Sequence, residues 1–408
     1  MAPTQPGQTV TSSTNDGSAA TSLDGYERRA LVELIGDFAR RELAPRVAEY
    51  DREERLPLDL LQRMAELGFF GGVVPVEDGG LGLDYVTFVD MVEEISKTCQ
   101  IMGTLVSMPS GLVGASLQRF GTAEQKDRWL RPLAQGSIFG AAGVTEPRSG
   151  SDVAGMNTVY RRDGDDVVLN GAKAWISNLD IGAFFVTFAT RDRSLGRAGI
   201  TAFIVPRDTP GLGLYPYKDK LGFRPISTGE LVFDDLRLPA DAVLGEEGRG
   251  FEVAMTAVER GRLGVAASAV GVAHACLDDS VAYAKEREAF GQPIASFQIV
   301  QSRITDMAVG ATTARLLVRS CAGALDEGRR ARELTSMAKM YASDVAARSA
   351  SDAVQIHGAA GVSPDHRVGR MYRDAKVLQI VEGSNDLHRA LIGEIELGLR
   401  SSGEQVIG

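Results

Sequence analysis

Across residues 30–38 (ALVELIGDF) apolar side chains recur at intervals of three and four, the spacing of one helix face. Residues 57–64 repeat the pattern, with Pro57 at a permitted first-turn position. A turn-rich break follows at 75–82, where Gly79, Gly80 and Gly82 come after Pro75. Helical periodicity returns from about residue 85 and again through 123–133. From about 143 to 239 that period is lost. Short runs rich in β-branched and aromatic residues replace it at 167–169, 184–188, 200–205 and 230–233. Asn170–Gly171 and Pro210–Gly211 read as turns between strands. Helical patterns then resume and lengthen, at 251–285, 296–327 and 330–356, with short connections that suit an antiparallel bundle. The pattern predicts an α+β chain with a helical region at residues 23–142 and an antiparallel sheet at 143–240. A C-terminal four-helix bundle at 241–408 completes it.

Composition narrows the reading. A chain of 408 residues is too long for one core. A net charge of −10 argues against nucleic acid or an anionic membrane as partner, since both need a basic surface. Cys99, Cys276 and Cys321 are far apart and odd in number, which points to a reducing compartment rather than a disulfide framework. The histidines His274, His357, His366 and His388 form no zinc-type spacing with them, so no metal is expected. Residues 1–22 carry no Lys or Arg and no apolar run. They read as a disordered tail rather than a secretory signal or a basic transit peptide. No stretch reads as long and apolar enough to span a bilayer. The expected address is the cytoplasm of a bacterium; a chain whose leader has been removed is the alternative. There is no G-x-G-x-x-G, no G-x-x-x-x-G-K-[ST], no G-x-S-x-G and no H-E-x-x-H. A Rossmann fingerprint, a P-loop, a hydrolase elbow and a zincin helix are thereby unsupported.

Five separated segments carry candidate chemistry. They are Val144–Thr145–Glu146–Pro147–Arg148–Ser149–Gly150–Ser151–Asp152–Val153; Asn170–Gly171–Ala172–Lys173–Ala174–Trp175–Ile176–Ser177–Asn178; Glu286 to Ile294 with Phe297–Gln298; Gln355 to Gly361; and Tyr372 to Lys376 with Glu382–Gly383–Ser384. In this order, over about residues 26–399, they resemble the signature motifs of the acyl-CoA dehydrogenases. The Glu-Gly-Ser base segment is similar to that of the short- and medium-chain types.

The resemblance implies FAD as cofactor and gives each segment a role. A loop of backbone N–H groups with a Thr hydroxyl can donate to the N and O atoms of an isoalloxazine edge. That implies Gly143, Val144 and Thr145 at the ring, with Ser151 between cofactor and substrate. The indole of Trp175 would wall off the ring, beside Ile176 and Ser177; by itself, a Trp in a strand reads as core. Arg287 would meet the pyrophosphate, and Phe290 and Gln298 the adenosine side. Alone, Arg287 reads as a helix salt bridge with Glu286 or Glu288. Gln355, Gly358 and Ala359 would lie at the adenine end. In the family these last contacts cross a subunit interface, which implies a homo-oligomer, a dimer or a dimer of dimers. Ser384 and Asp386 would border the flavin, and with Asn385 they can also cap the next helix.

Glu382 is the implied base. An α-proton of a thioester is weakly acidic, so its removal needs a positioned carboxylate and a pocket for the enolate oxygen. A glutamate desolvated against a flavin and an acyl chain should have a raised pKa. Alone, Glu382 also reads as a carboxylate at a helix start. Some family members carry the base immediately before the residue matching Arg262. Here Gly261 stands there, and Glu259, two residues away, turns to the opposite face. Val258, Glu259, Arg262, Gly383 and Ser151 are the expected substrate contacts; Arg262 alone reads as a surface arginine. The chain departs from the family at Ala359 (commonly Gly), Gly143 (often Cys or Ser) and Asp386 (often Gln or Glu). The implied reaction takes the α-proton to Glu382 and the β-hydride to flavin N5, from an acyl-CoA or acyl-carrier thioester. An electron-transfer flavoprotein then takes the electrons. A carrier-linked dehydrogenase or an oxidase is the alternative. A DNA-binding member without turnover is more distant, opposed by the charge and by Glu382.

Overall fold

The structure is a computed structural model that describes residues 24–329 and 331–399. The tail expected at 1–22 lies outside the described residues. The chain begins with α1 (Gly25–Phe38), α2 (Val47–Glu53), α3 (Leu58–Glu66), α4 (Tyr85–Ser96), α5 (Gln100–Ser107), α6 (Leu112–Phe120), α7 (Ala123–Gln125) and α8 (Arg131–Ala134). Asp24 starts α1 with a capping box: its carboxylate accepts from the Tyr26 and Glu27 N–H groups while Glu27 accepts from the Asp24 N–H.

The middle strands are β1 (Phe139–Gly143), β2 (Val159–Asp163), β3 (Asp166–Ser177), β4 (Gly182–Thr190), β5 (Ile200–Pro206), β6 (Leu212–Pro216), β7 (Thr228–Leu238) and β8 (Val243–Leu244). They lie in the order β6-β7-β3-β2-β4-β5-β8, with β1 beside β4. Alternation along β4 gives the sheet two buried faces. Phe184, Val186 and Phe188 pack with Met108, Val113, Leu130 and Phe251 from the helices; Phe185 and Ala189 pack with Phe203, Val205 and Leu231. The first face fastens the sheet to the helices on either side of it in sequence.

Four helices follow: α9 (Gly250–Glu286), α10 (Gln298–Asp326), α11 (Arg332–His357) and α12 (Val368–Leu378), and then α13 (Asn385–Glu396). Helix α9 is the spine, 37 residues and about 56 Å long. It packs against α4, α5, α6, α10 and α11.

Three expectations need correction. The sheet is mixed, because β1 pairs with β4 in parallel. Asn170–Gly171 is a bulge within β3, not a turn: the register against β7 shifts between Leu169 and Gly171. Glycine is needed there because a Cβ would stand 2.7 Å from Thr158 Cα, and φ is +141°. Finally, α9 does contain an 18-residue stretch apolar enough by composition to cross a membrane; 61% of that stretch is buried, as in a core helix.

Candidate active site

The connection from α12 to α13 is a closed turn, with the Asn385 N–H donating to Gln379 O at 3.0 Å. Ser384 caps α13 by accepting from the Leu387 N–H. Inside this turn Glu382 has φ +56° and Gly383 φ +93°. A left-handed conformation costs a non-glycine residue about 1 kcal/mol or more, so the surroundings must hold it. Arg262 Nε, from α9, donates to Glu382 O at 3.2 Å, and its Nη1 donates to Ser336 Oγ at 3.2 Å. Lys339 Nζ, from α11, donates to Gly383 O at 2.7 Å and to Asn385 Oδ1 at 2.9 Å.

The side chain of Glu382 turns toward α9. A Cβ added at Gly261 would stand 2.9 Å from both Cδ and Oε2 of Glu382. Glycine at 261 is therefore what leaves room for the carboxylate. Glu259 points elsewhere, to Arg332 at 3.7 Å. Glu382 is enclosed by protein yet only half-buried by surface, as expected for a group lining a cleft. Burial pushes its carboxyl up to about 7, against the pull of Arg262 and Lys339. Burial also lowers Arg262 to about 10 and Lys339 to about 7. His388 packs behind the turn, its Nε2 3.2 Å from where a Gly383 Cβ would be, and burial holds it neutral with a pKa of about 3. Gly261→Ala is expected to displace the carboxylate and slow substrate-driven flavin bleaching about tenfold or more, with FAD retained. Stopped-flow absorbance measures this.

The second half of the site is the β3 edge. The Ala174 N–H donates to Thr145 O at 2.8 Å, which sets the Thr145 loop beside Trp175. A register shift between Lys173 and Ile176 turns Trp175 outward with φ +63°, the use of a bulge to re-aim a side chain. Its indole is 64% exposed and lies 4.8 Å from the Tyr217 ring. Beneath the loop, fully buried Lys173 donates to Glu146 Oε1 at 2.7 Å, and Glu146 accepts from the Asn157 and Thr158 N–H groups at 2.5 and 2.9 Å. An exposed indole beside the Thr145 and Ser177 segments fits a flat aromatic cofactor.

The Met108–Gly111 turn joins the halves. Buried Asn178, next to Ser177, donates to Met108 Sδ and Gly140 O, each at 3.1 Å. At the other end a Cβ on Gly111 would stand 3.5 Å from Gly261 Cα. This turn thus touches the segment after Trp175 at one end and Gly261, beside Glu382, at the other.

The other expected contact residues are spread over the chain. The Ile176 side chain is in the sheet core, and a Cβ on Gly143, whose expected contact is through its backbone, would face Lys173 and Thr187. Asp386 is fully exposed and lies 3.6 Å from Arg389. Ser384 spends its hydroxyl on the α13 cap. Val258 is half-buried and Ser151 is exposed. Arg287, Gln298, Gln355, Gly358 and Ala359 are all exposed. Arg287 forms no ion pair with Glu286 or Glu288 among the described residues. Phe290 is 95% exposed at the tip of a two-residue hairpin, where Phe290 and Gly291 have φ +53° and +80°. Sequence reasoning missed the places of Lys339 and His388 in the site and read Asn385 only as a helix cap. Their only signal was an apolar helical setting around a lysine and a histidine.

Models of the acyl-CoA dehydrogenase N-terminal, middle and C-terminal domains match residues 26–137, 141–236 and 248–397. The mitochondrial short-chain specific acyl-CoA dehydrogenase of Bos taurus is 41% identical, over 89% of this chain and 88% of its own. The solved butyryl-CoA dehydrogenase of Megasphaera elsdenii has a TM-score of 0.88 at 38% identity, covering 91% of this chain and 98% of that one. A chain in a solved structure of the electron transferring flavoprotein of Acidaminococcus fermentans has a TM-score of 0.88 at 39% identity, covering 91% and 97%. With its domains matched in order and its site assembled as described, the chain belongs to the acyl-CoA dehydrogenase family of FAD-dependent oxidoreductases acting on acyl-CoA.

Proposed function

We propose that this protein dehydrogenates a short-chain acyl-CoA between Cα and Cβ, with Glu382 as the base. One observation carries the reading: a carboxylate raised to about 7 by burial faces the gap left by Gly261. Thr145 and Trp175 would bound the ring. The chemistry FAD supplies when bound is a hydride acceptor, from which the electron pair passes on to an electron-transferring flavoprotein. Glu382 accepts the α-proton as the Cα–H bond breaks and the double bond forms. The backbone N–H of Glu382, which has no protein acceptor among the described residues, is placed to donate to the thioester carbonyl. Arg262 and Lys339 favour the carboxylate form that accepts the proton.

Close packing supports a short acyl chain. A Cβ on Gly264 would lie 2.7 Å from Ser107 Cβ, and one on Gly103 would lie 3.0 Å from Ser268 Oγ. Helices α9 and α5 therefore close on each other about one turn beyond Gly261, roughly 5 Å along the axis. A four-carbon thioester should bleach the flavin fastest, and an eight-carbon one about 10- to 100-fold more slowly, the cost of forcing methylenes into packed protein. A panel of acyl-CoA thioesters under anaerobic conditions tests this, with carrier-linked thioesters and O₂ as further arms. Preference for eight carbons or more, or for the carrier-linked form, would overturn the substrate assignment.

The cofactor site is completed by a second copy. Arg287, the C-cap of α9, lies 26 residues after Gly261, about 39 Å along the helix axis. Arg287 and Phe290 cannot reach the cofactor that Thr145 and Trp175 hold in the same chain. Their exposure suits a partner subunit's cofactor.

A further inference from the structure

Lys339 is buried on α11, and beyond the pull of its charge on Glu382 the chemistry proposed above gives it no role. Its ammonium has no carboxylate within ion-pair distance among the described residues, and lysine is almost never fully buried without such a partner. What it holds is the turn that carries the base. It donates to Gly383 O at 2.7 Å and to Asn385 Oδ1 at 2.9 Å. Asn385 is itself fixed: its Nδ2 donates to Met340 O, Ser343 Oγ and Asp344 Oδ1 at 3.2, 2.9 and 2.7 Å. Arg262 takes the preceding carbonyl, that of Glu382. Two successive carbonyls of a left-handed turn are thus pinned by cations from two different helices.

We propose that Lys339 is the positioning residue of the base, anchoring the Gly383 carbonyl and the Asn385 amide so that Glu382 is aimed at the cleft. This rests on the reading of Glu382 as base. The same ammonium is a second positive charge behind the carboxylate. The groups facing Glu382 and Lys339 are Arg262 with Glu259 behind it on α9, Asp344 on α11 and His388 on α13, the last neutral. Lys339 lowers the pKa of Glu382, so its removal must raise it.

The test compares Lys339→Met, Lys339→Arg and Glu382→Gln as FAD-loaded full-length proteins. Anaerobic bleaching is followed across pH, and enoyl-CoA affinity is measured in parallel. Lys339→Met should slow bleaching about tenfold or more at neutral pH and move the acid limb alkaline by about one pH unit. Enoyl-CoA affinity should change less than about threefold, because binding does not require the aim of the base. Lys339→Arg keeps the charge but not the compact two-point grip. It should leave the midpoint in place and slow bleaching about threefold or more, and it decides the matter if the Met variant does not fold. Wild-type rate and midpoint in Lys339→Met, or a wild-type rate in Lys339→Arg, would overturn the proposal. Bleaching by Glu382→Gln would instead sink the base assignment on which it rests.

Discussion

Glu382→Gln is expected to keep FAD bound and to slow substrate-driven bleaching by about 10³-fold or more, the scale of losing a positioned general base. The same change should make the folded protein more stable, in a pH-dependent way. Burial raises the Glu382 carboxyl from 4.5 to about 7, so the folded state resists ionising it. Below about pH 4.5 the group is protonated whether folded or unfolded, and the substitution gains nothing. Between 4.5 and 7 the unfolded chain ionises while the folded one does not, and wild type loses stability as pH rises. Above 7 both are ionised and the difference levels off at about 3 kcal/mol in favour of the glutamine variant. Denaturant unfolding at pH 4.5 and at pH 8 should show the gain only at the higher pH. On the proposed function, the protein gives up stability to keep a poised base, as it does in the left-handed backbone of the same residue.

Lys173→Met should be among the most damaging changes outside the base. Lys173 and Glu146 are both buried and bonded at 2.7 Å. Burial lowers the Lys173 pKa to about 8, even with the carboxylate holding it up. For Glu146 burial opposes ionisation, but Lys173 and the Thr158 and Asn157 contacts prevail and keep its carboxyl below the usual range. Methionine would leave that carboxylate buried without its cation, a loss of about 3–5 kcal/mol. Because Glu146 also ties the Thr145 loop to Asn157 and Thr158, just before β2, apoprotein should bind FAD about tenfold or more weakly. Adding Glu146→Gln should recover much of the stability by removing the stranded charge. Thermal melts and FAD titration of the apoprotein check both points. Unchanged FAD affinity in Lys173→Met would mean that the buried pair does not shape the cofactor loop.

Hydrophobic patterning made the order of helices, sheet and helices legible, because α10 and α11 keep a partial apolar face and β4 and β5 are rich in aromatic and β-branched residues. The strands it missed lack that signal. Phe139–Gly143 is mostly Gly and Ala, Val159–Asp163 is mostly charged, and Leu212–Pro216 holds a Gly and a Pro at the sheet edge. Asn170–Gly171 misled because the same residues that make turns also make bulges.

In the candidate site, Glu382 was singled out by its neighbours in sequence, and Gly261 because a missing side chain is visible in the string. Lys339 was not, since a lysine on a helix ordinarily faces water. Only the tertiary packing of α11 behind the base turn places it at Gly383 and Asn385. The outward turn of Trp175 was likewise invisible. It depends on a register shift between Lys173 and Ile176, a property of the β3–β7 pairing.

The account turns on who removes the α-proton. The most direct measurement uses FAD-loaded enzyme in D₂O with a short thioester that has no β-hydrogen, so that proton abstraction is seen without hydride transfer. Wild type should place deuterium at Cα, faster as pH rises through about 7, while Glu382→Gln should exchange at the background rate. Exchange at the wild-type rate in the Glu382→Gln protein would contradict the central claim.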